Sequence, residues 1–258
     1  MNTVALIPAY NAERTLAEIV ERIPRNIVDR IIIVDDGSRD GTYDLMRRLP
    51  GVEALRHPRN QGYGAAQSTL YGAALASGAR TSVILHADGG HRPEEIPLML
   101  GPALNGSADM VVGSRLLGLL STAKALAGSV ALGAIVRSPM PPHRVAGHLA
   151  LTRLQNACYG TRYHAFHDGF RVCTREALTR VPFDRLTRTY QYDTEFLLAA
   201  HELGLRVSEV PVSSHYDARA GSSVPVVRYG LQVVKRALAY RLGGRRAITQ
   251  PTPSDALP

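Results

Sequence analysis

The amino-acid sequence predicts an α/β fold: an open, mostly parallel sheet of Rossmann-like type with helices on both faces, continued by a helical C-terminal extension. Three observations lead there. Short apolar runs alternate with helix-period segments from Val4 to Val112, in the order βαβαβαβαβ. The run Ile31-Ile32-Ile33-Val34 is continuously apolar, as a strand covered on both faces must be. Polar stretches that include the glycines Gly37, Gly89 and Gly90 follow the first, second and fourth strands, and sheets of this kind bind ligands beyond the carboxyl ends of their strands.

Taken in order, Val4 to Ile7 is the first strand. Asn11 is placed to cap a helix from Ala12 to Arg22, in which Leu16, Ile19, Val20 and Ile23 recur at helical spacing. Arg30 to Val34 is the second strand, Asp40 to Leu49 a helix, and Glu53 to Arg56 a short third strand. The stretch Asn60-Gln-Gly-Tyr-Gly-Ala-Ala-Gln67 enters a helix running to Ala76. Ser82 to Leu85 is the fourth strand, Pro93 opens the next helix, and Met110 to Val112 is the fifth strand. Beyond Val136 helices dominate: His143 to Tyr159, Arg175 to Leu178, Tyr190 to Leu203 closed by Gly204, and Val226 to Leu242. Gly169 to Thr174 and Arg206 to Val210 read as strands between them. No internal repeat or linker divides the chain, and residues 249–258 read as a disordered tail.

Composition narrows the partners. The chain has 258 residues, 45% hydrophobic and 20% charged, which suits a folded domain. Its formal net charge is +8, and all but two of its 30 basic residues are arginine. A guanidinium donates two hydrogen bonds to one anion, so the balance points to a nucleotide, a lipid phosphate or a membrane surface. Nucleic acid is set aside, because no aromatic stacking motif or basic recognition helix accompanies the charge. Cys158 and Cys173 lack metal-ligand spacing and fit a reducing compartment. The first strand follows Met1 with no basic leader, so a cytoplasmic enzyme is expected.

Three strand-end stretches can carry chemistry. In Val34-Asp35-Asp36-Gly37-Ser38 two carboxylates can accept hydrogen bonds from a base N–H and from ribose hydroxyls. In Asn60-Gln-Gly-Tyr-Gly64 bare backbone N–H groups at a helix start can approach a phosphate. His86-Ala-Asp88-Gly-Gly-His91 has the form of a metal and phosphate site. A magnesium ion needs only one or two carboxylates when substrate phosphates and water complete its shell, so Asp88 can suffice. Imidazole from His86 or His91 would favour manganese or another transition ion. Either histidine can equally bind the sugar or diphosphate, or be a plain loop side chain.

The segments Ile7 to Leu16, Ile31 to Thr42, His57 to Ala66, Ala108 to Leu116, His167 to Leu178 and Tyr190 to Ala200, in that order, resemble an inverting family 2 glycosyltransferase of the GT-A fold. Within that family the chain looks like the polyprenyl- and dolichyl-phosphate sugar transferases, over roughly residues 3–215. The resemblance implies one GT-A domain over residues 1–248, with a nucleotide-binding half to residue 115 and an acceptor half over residues 116–248. It implies a nucleotide-diphosphate sugar as donor, a divalent cation (Mg or Mn) and a lipid-phosphate acceptor. By position it assigns the donor to Pro8, Tyr10, Asn11, Asp35, Asp36, Asn60, Gly62, Gly64, Ala87 and Asp88. The family's Asp-x-Asp is changed here: His86 stands at its first acid and Asp88 at its second. Arg115, Asp168 and Arg171 would serve the phosphates and the acceptor. A carboxylate such as Asp168 can act as base, with His167 a weaker candidate, but a phosphate acceptor is already an anion near neutral pH, its second pKa being about 6. Asp193 and Glu195 are explained equally by helix capping.

Two segments bear on the membrane. Leu116 to Val136 has the length of a bilayer span but contains Lys124, and reads as a mobile or membrane-lying segment. Residues 226–246 form a basic amphipathic helix with Leu231, Val234, Leu238 and Leu242 on one stripe. The expectation is a peripheral enzyme at the inner face of the cell membrane, alone or with a membrane partner protein. A soluble natural-product or polymer acceptor, and a catalytically degenerate nucleotide- or partner-binding homologue, stay open from sequence.

Overall fold

The computed structural model describes residues 2–119, 142–213 and 226–243. One seven-stranded sheet runs through it, in the spatial order 3-2-1-4-6-5-7. Its strands are β1 (Thr3–Ala9), β2 (Arg30–Asp35), β3 (Val52–Arg56), β4 (Thr81–Ile84), β5 (Met110–Ser114), β6 (Arg171–Thr174) and β7 (Val207–Pro211). The helices are α1 (Leu16–Glu21), α2 (Thr42–Arg48), α3 (Tyr63–Ala76), α4 (Ile96–Leu104), α5 (Pro142–Tyr159), α6 (Arg175–Arg180), α7 (Tyr192–Glu202) and α8 (Val226–Gly243).

The sheet is buried on both faces, which is why its central strands are apolar without alternation. Successive side chains of β1 go to opposite sides. Val4 and Leu6 join Leu70, Tyr71, Phe166 and Phe196 in one core. Ala5 and Ile7 join Leu16, Ile19, Val20, Met99 and Leu100 in the other.

β1, β2, β3 and β4 pair in parallel, as do β5 and β7. β6 lies antiparallel between β4 and β5, with Arg171 opposite both Ile84 and Val112. A parallel strand inserted there would deliver its carboxyl end to the site. This strand, running the other way, delivers its amino end, so the loop carrying Asp168 and Gly169 reaches the same sheet edge as the loops after β1, β2, β4 and β5. The two expected halves therefore share one sheet.

The element expectations fail in one instructive place. Asn11 does not cap a helix at Ala12; α1 starts at Leu16, with Thr15 at its N-cap. Asn11 has a left-handed backbone, φ 51°, and its Oδ1 accepts the Arg39 N–H at 3.0 Å. Its own N–H donates to Ser38 Oγ at 2.8 Å, and Ala12 N–H goes to Thr42 Oγ1 at 2.8 Å. The polar groups expected to start a helix instead bind the β1 loop to the β2 loop.

No helix among the described residues is long and apolar enough to cross a membrane. Most of the segment 116–136, and the tail 249–258, lie outside the described residues. In α8, Val233 and Ala237 are buried, while Leu231, Leu238 and Leu242 are 67%, 46% and 88% exposed. The leucine stripe faces away from the core. α8 is held from its other side: Arg236 pairs with Glu195, and Tyr240 donates to Glu202 Oε1 at 2.7 Å.

Candidate active site

The strand-end loops meet in one region. Asp35, the last residue of β2, is fully buried, and its Oδ1 accepts the Ser38 N–H at 2.9 Å. Its Oδ2 is buried and accepts no hydrogen bond, although Arg56 Nε lies 3.2 Å away as an ion-pair partner. Arg56 stacks over Tyr43, 4.5 Å from the ring centroid. A buried carboxylate oxygen at a strand end, met only by this ion pair, is one that a base N–H could satisfy. Pro8 is paired in β1 beside Val34, and Tyr10 is 43% exposed at the loop tip.

Asp36 does different work from that expected of it. Its Oδ1 lies 2.6 Å from His57 Nδ1 and accepts the Gln61 N–H at 2.9 Å; its Oδ2 accepts the Gly62 N–H at 2.9 Å. Both oxygens are thus occupied in shaping the turn before α3. That turn needs glycine, since Gly62 has φ 100°. Asn60 is exposed on the same turn, and a Cβ on Gly37 would come 2.6 Å from its nitrogen. Gly64 packs on protein: a Cβ there would meet Thr187 O at 2.2 Å, and its N–H donates to Arg188 O at 2.9 Å. Its small size lets α3 dock on the loop before α7.

The loop after β4 holds the expected cation residues. Asp88 is exposed; its Oδ1 accepts the Gly90 N–H at 2.8 Å. Desolvation raises the Asp88 pKa, but His86, the Gly90 N–H, His91 and Arg115 together outweigh it and hold the carboxyl below its ordinary range. Ala87 is buried, and its carbonyl accepts from Thr15 Oγ1, tying this loop to the β1 loop. His86 Nε2 is 2.8 Å from the Tyr63 hydroxyl, which donates to Asp193 Oδ2 at 2.8 Å. His91 is buried, with its ring centroid 5.1 Å from that of Phe170 and 5.2 Å from that of His86. Burial first, then His86 and Arg115, bring the His91 pKa down to about 3. Its Nδ1 is buried without a partner.

Among the described residues no three His, Cys, Asp or Glu side chains converge to enclose an ion. Asp88 and His86 nevertheless fit an open cation site, in which a diphosphate and water supply the other ligands.

On the acceptor side, Asp168 is fully buried. Arg115 Nε donates to its Oδ1, and the Arg115 backbone N–H to its Oδ2 at 3.2 Å. Burial pushes the Asp168 carboxyl up, but Arg115, His148 and His91 prevail and bring it to about 2. A carboxylate so stabilised, with both oxygens occupied, is a poor base, and its role is to hold Arg115. The loop preceding it is fixed by Glu209, whose Oε1 accepts the N–H groups of His164 and Ala165 at 2.7 and 2.8 Å. His167 is a poor base too: burial, then His148, lower its pKa to about 3, and its Nδ1 is 2.8 Å from the Tyr229 hydroxyl of α8.

Arg171 departs most from expectation. It is 1% exposed and lies beneath the site. Its guanidinium donates to the carbonyls of Asp168, Asp193 and Phe166 at 3.1, 2.6 and 3.4 Å, and lies 3.6 Å from Asp193 Oδ1. It supports the loops and does not face phosphate. Nor do Asp193 and Glu195 cap α7: Asp193 bonds Tyr63 and Gln67, and Glu195 accepts the Thr187 N–H at 2.8 Å and pairs with Arg236. Sequence reasoning missed Tyr63 and Arg56. An aromatic between two glycines at a helix start was the available signal for Tyr63; for Arg56, at the end of an edge strand, there was none.

A UDP-N-acetylglucosamine–dolichyl-phosphate N-acetylglucosaminyltransferase of Methanococcus voltae is 28% identical over 259 residues, spanning 92% of this chain and 95% of its own. An undecaprenyl-phosphate mannosyltransferase of Micrococcus luteus is 25% identical over 260 residues, spanning 94% of this chain and all of its own. Among solved structures, glucosyl-3-phosphoglycerate synthase of Mycobacterium tuberculosis, in complex with Mn2+, UDP and glucosyl-3-phosphoglycerate, superposes with a TM-score of 0.63 at 22% identity, covering 93% of this chain and 80% of that one. This likeness shows the GT-A fold. The profile of glycosyl transferase family 2 matches residues 4–181, more than half of the chain, and the protein belongs to that family.

Proposed function

We propose that this glycosyltransferase moves a sugar from a nucleoside-diphosphate donor, with inversion, onto a polyprenyl-phosphate-type acceptor, at a cytoplasmic membrane surface. The observation that carries the reading is the gathering of Asp35, the His86–Asp88 loop and the Arg115–Asp168 pair along one sheet edge. The two relatives named for dolichyl- and undecaprenyl-phosphate support the acceptor class. The exposed leucines of α8 beside Lys235 and Arg241 support a peripheral membrane position.

Each residue then has a task. Asp35 Oδ2 accepts from the base, with Pro8, Tyr10 and Asn11 forming the wall of the nucleoside site. Asp88 and His86 would hold a divalent cation, whose positive charge would stabilise a departing diphosphate. Arg115, aligned by Asp168, contributes a fixed positive charge where negative charge develops. The acceptor phosphate attacks the anomeric carbon from the face opposite the nucleotide. It is already anionic, its second pKa being about 6, so no strong base is needed. This accords with an Asp168 that stays ionised on Arg115.

The test is incubation with a panel of nucleotide sugars and a short polyprenyl phosphate, read by mass spectrometry. A glycosyl-phosphoprenol product of inverted anomeric configuration is expected. Turnover only on a water-soluble phosphorylated acceptor would overturn the acceptor class, and no turnover with any pairing would overturn the reading as a whole.

A further inference from the structure

We infer that the seam between α5 and α8 is the route by which the acceptor's phosphate reaches Arg115, shut in this structure and opened when α8 seats on a membrane. The inference rests on the lipid-phosphate reading of the acceptor.

The two helices lie side by side and run the same way. Near the start of α8 the Tyr229 hydroxyl is 2.8 Å from His167 Nδ1, and the His167 ring meets the ring of His148 on α5 with centroids 5.9 Å apart. Farther along both helices Tyr240 meets Tyr159 edge to face, with centroids 5.0 Å apart. His148, Thr152, Gln155 and Tyr159 recur at helical spacing on one face of α5, so Thr152 and Gln155 lie along the seam. The row begins at the active site. His167 adjoins Asp168, which holds Arg115. Burial lowers the His148 pKa; next come Asp168, which raises it, and Arg115, which lowers it.

The seam has the wrong chemistry for a permanent contact. A surface helix ordinarily turns its apolar stripe inward. α8 does the reverse. Leu231, Leu238 and Leu242 face out, and its inner face offers Tyr229, Arg236 and Tyr240 beside the smaller Val233 and Ala237. α5 answers with more polar groups. His148 Nε2, Thr152 Oγ1, Gln155 Oε1 and His167 Nε2 are each buried without a hydrogen-bond partner. Buried polar groups are nearly always paired, so a run of unpaired ones makes closure costly. A contact poor in apolar burial is also where a fold opens locally. Once parted, the same hydroxyl, amide and imidazoles line a polar track for a phosphate, while the outward leucines stay in the bilayer.

Carbethoxylation reads the seam in the wild type, because diethyl pyrocarbonate attacks an imidazole nitrogen only where it is accessible. On phosphatidylglycerol vesicles His148 and His167 should be modified several-fold faster than in the free protein, with the buried His57 unchanged as the control for unfolding. Unchanged rates at both, in a protein that floats with the vesicles and glycosylates polyprenyl phosphate, would overturn the inference and leave the function standing. Absence of any glycosyl-phosphoprenol product would instead remove the reading beneath it. Two variants push the seam in opposite directions. Thr152→Val combined with Gln155→Leu deletes unpaired polar atoms, so the melting temperature should rise. Its kcat/KM for polyprenyl phosphate should fall at least tenfold, with UDP or GDP affinity kept. Tyr229→Phe removes a closing contact and should speed modification of His148 and His167 in the free protein. A lower melting temperature in the double variant would show that the row is bonded in place, and full lipid turnover in a stabilised one would put the entry elsewhere; either result sinks the inference. Should a variant fail to fold, the wild-type modification rates decide.

Discussion

Gly169 shows how closely single residues are specified here. Its bare Cα lets His86 and Tyr63 rest against the backbone; a Cβ would lie 2.6 Å from the Tyr63 hydroxyl as well as against the imidazole. Gly169→Ala should therefore keep the overall fold yet lower affinity for Mn2+ with UDP or GDP at least tenfold, checked by calorimetry beside circular dichroism. Asp36→Ala should act on stability. It strips acceptors from two buried or half-buried N–H groups and from His57, and about 2–4 kcal/mol should be lost in urea unfolding. Asp168 predicts a pH dependence. Its folded pKa, about 2, is below the ordinary 3.8, so the carboxylate form stabilises the fold above about pH 4 and that contribution fades as the pH falls towards 2. The gap in unfolding free energy between wild type and Asp168→Asn should shrink by about 2 kcal/mol over that window. A gap unchanged with pH would contradict it.

At this scale the sequence was legible where a residue's chemistry is its own. Asp35, Asp88 and Arg115 sit at strand ends, where an alternating βα pattern puts them. It was not legible where the partner lies far along the chain. Asp36 and Asp35 are adjacent and chemically identical, but only the tertiary fold turns one onto residues 57–62 and leaves the other with one oxygen that accepts no hydrogen bond. Arg171 looked like a phosphate ligand because guanidinium suits phosphate. Its position on β6, between two strands and under α7, gives it backbone carbonyls instead.

Among the elements, the strands were legible to within a residue or two because burial on both faces demands apolar runs. The start of α1 was not: Asn11 is a good cap by propensity, and a loop-to-loop hydrogen bond overrode that weak preference. The direction of β6 was equally hidden, since no composition distinguishes a strand laid antiparallel between two others. α8 was read as amphipathic, which left open which face is buried. Its outward leucines predict that Leu238→Glu with Leu242→Glu lowers partition into anionic vesicles at least tenfold, each buried leucine being worth about 1.5–3 kcal/mol. The melting temperature should change little, because Leu242 is almost fully exposed and Leu238 is about half exposed. Flotation with liposomes measures the first and calorimetry the second.

For the molecule as a whole, a net charge of +8, nearly all from arginine, favours anionic surfaces beyond any single contact. Vesicle binding should weaken steeply as salt rises from 50 to 500 mM, the Debye length falling from about 14 Å to about 4 Å. Equal binding across that range would assign the association to the leucines alone.

The reversed strand between β4 and β5 also bears on how the molecule is made. Residues 1–115 supply both of its neighbours, yet the ribbon that joins them arrives from residues 171–174, late in synthesis. Without it, β4 keeps one unpaired side and β5 has no link to the rest of the sheet. The sheet that carries the site is therefore continuous only once residues from the second half of the chain are in place, and an amino-terminal piece of 115 residues would lack the loop that holds Asp168.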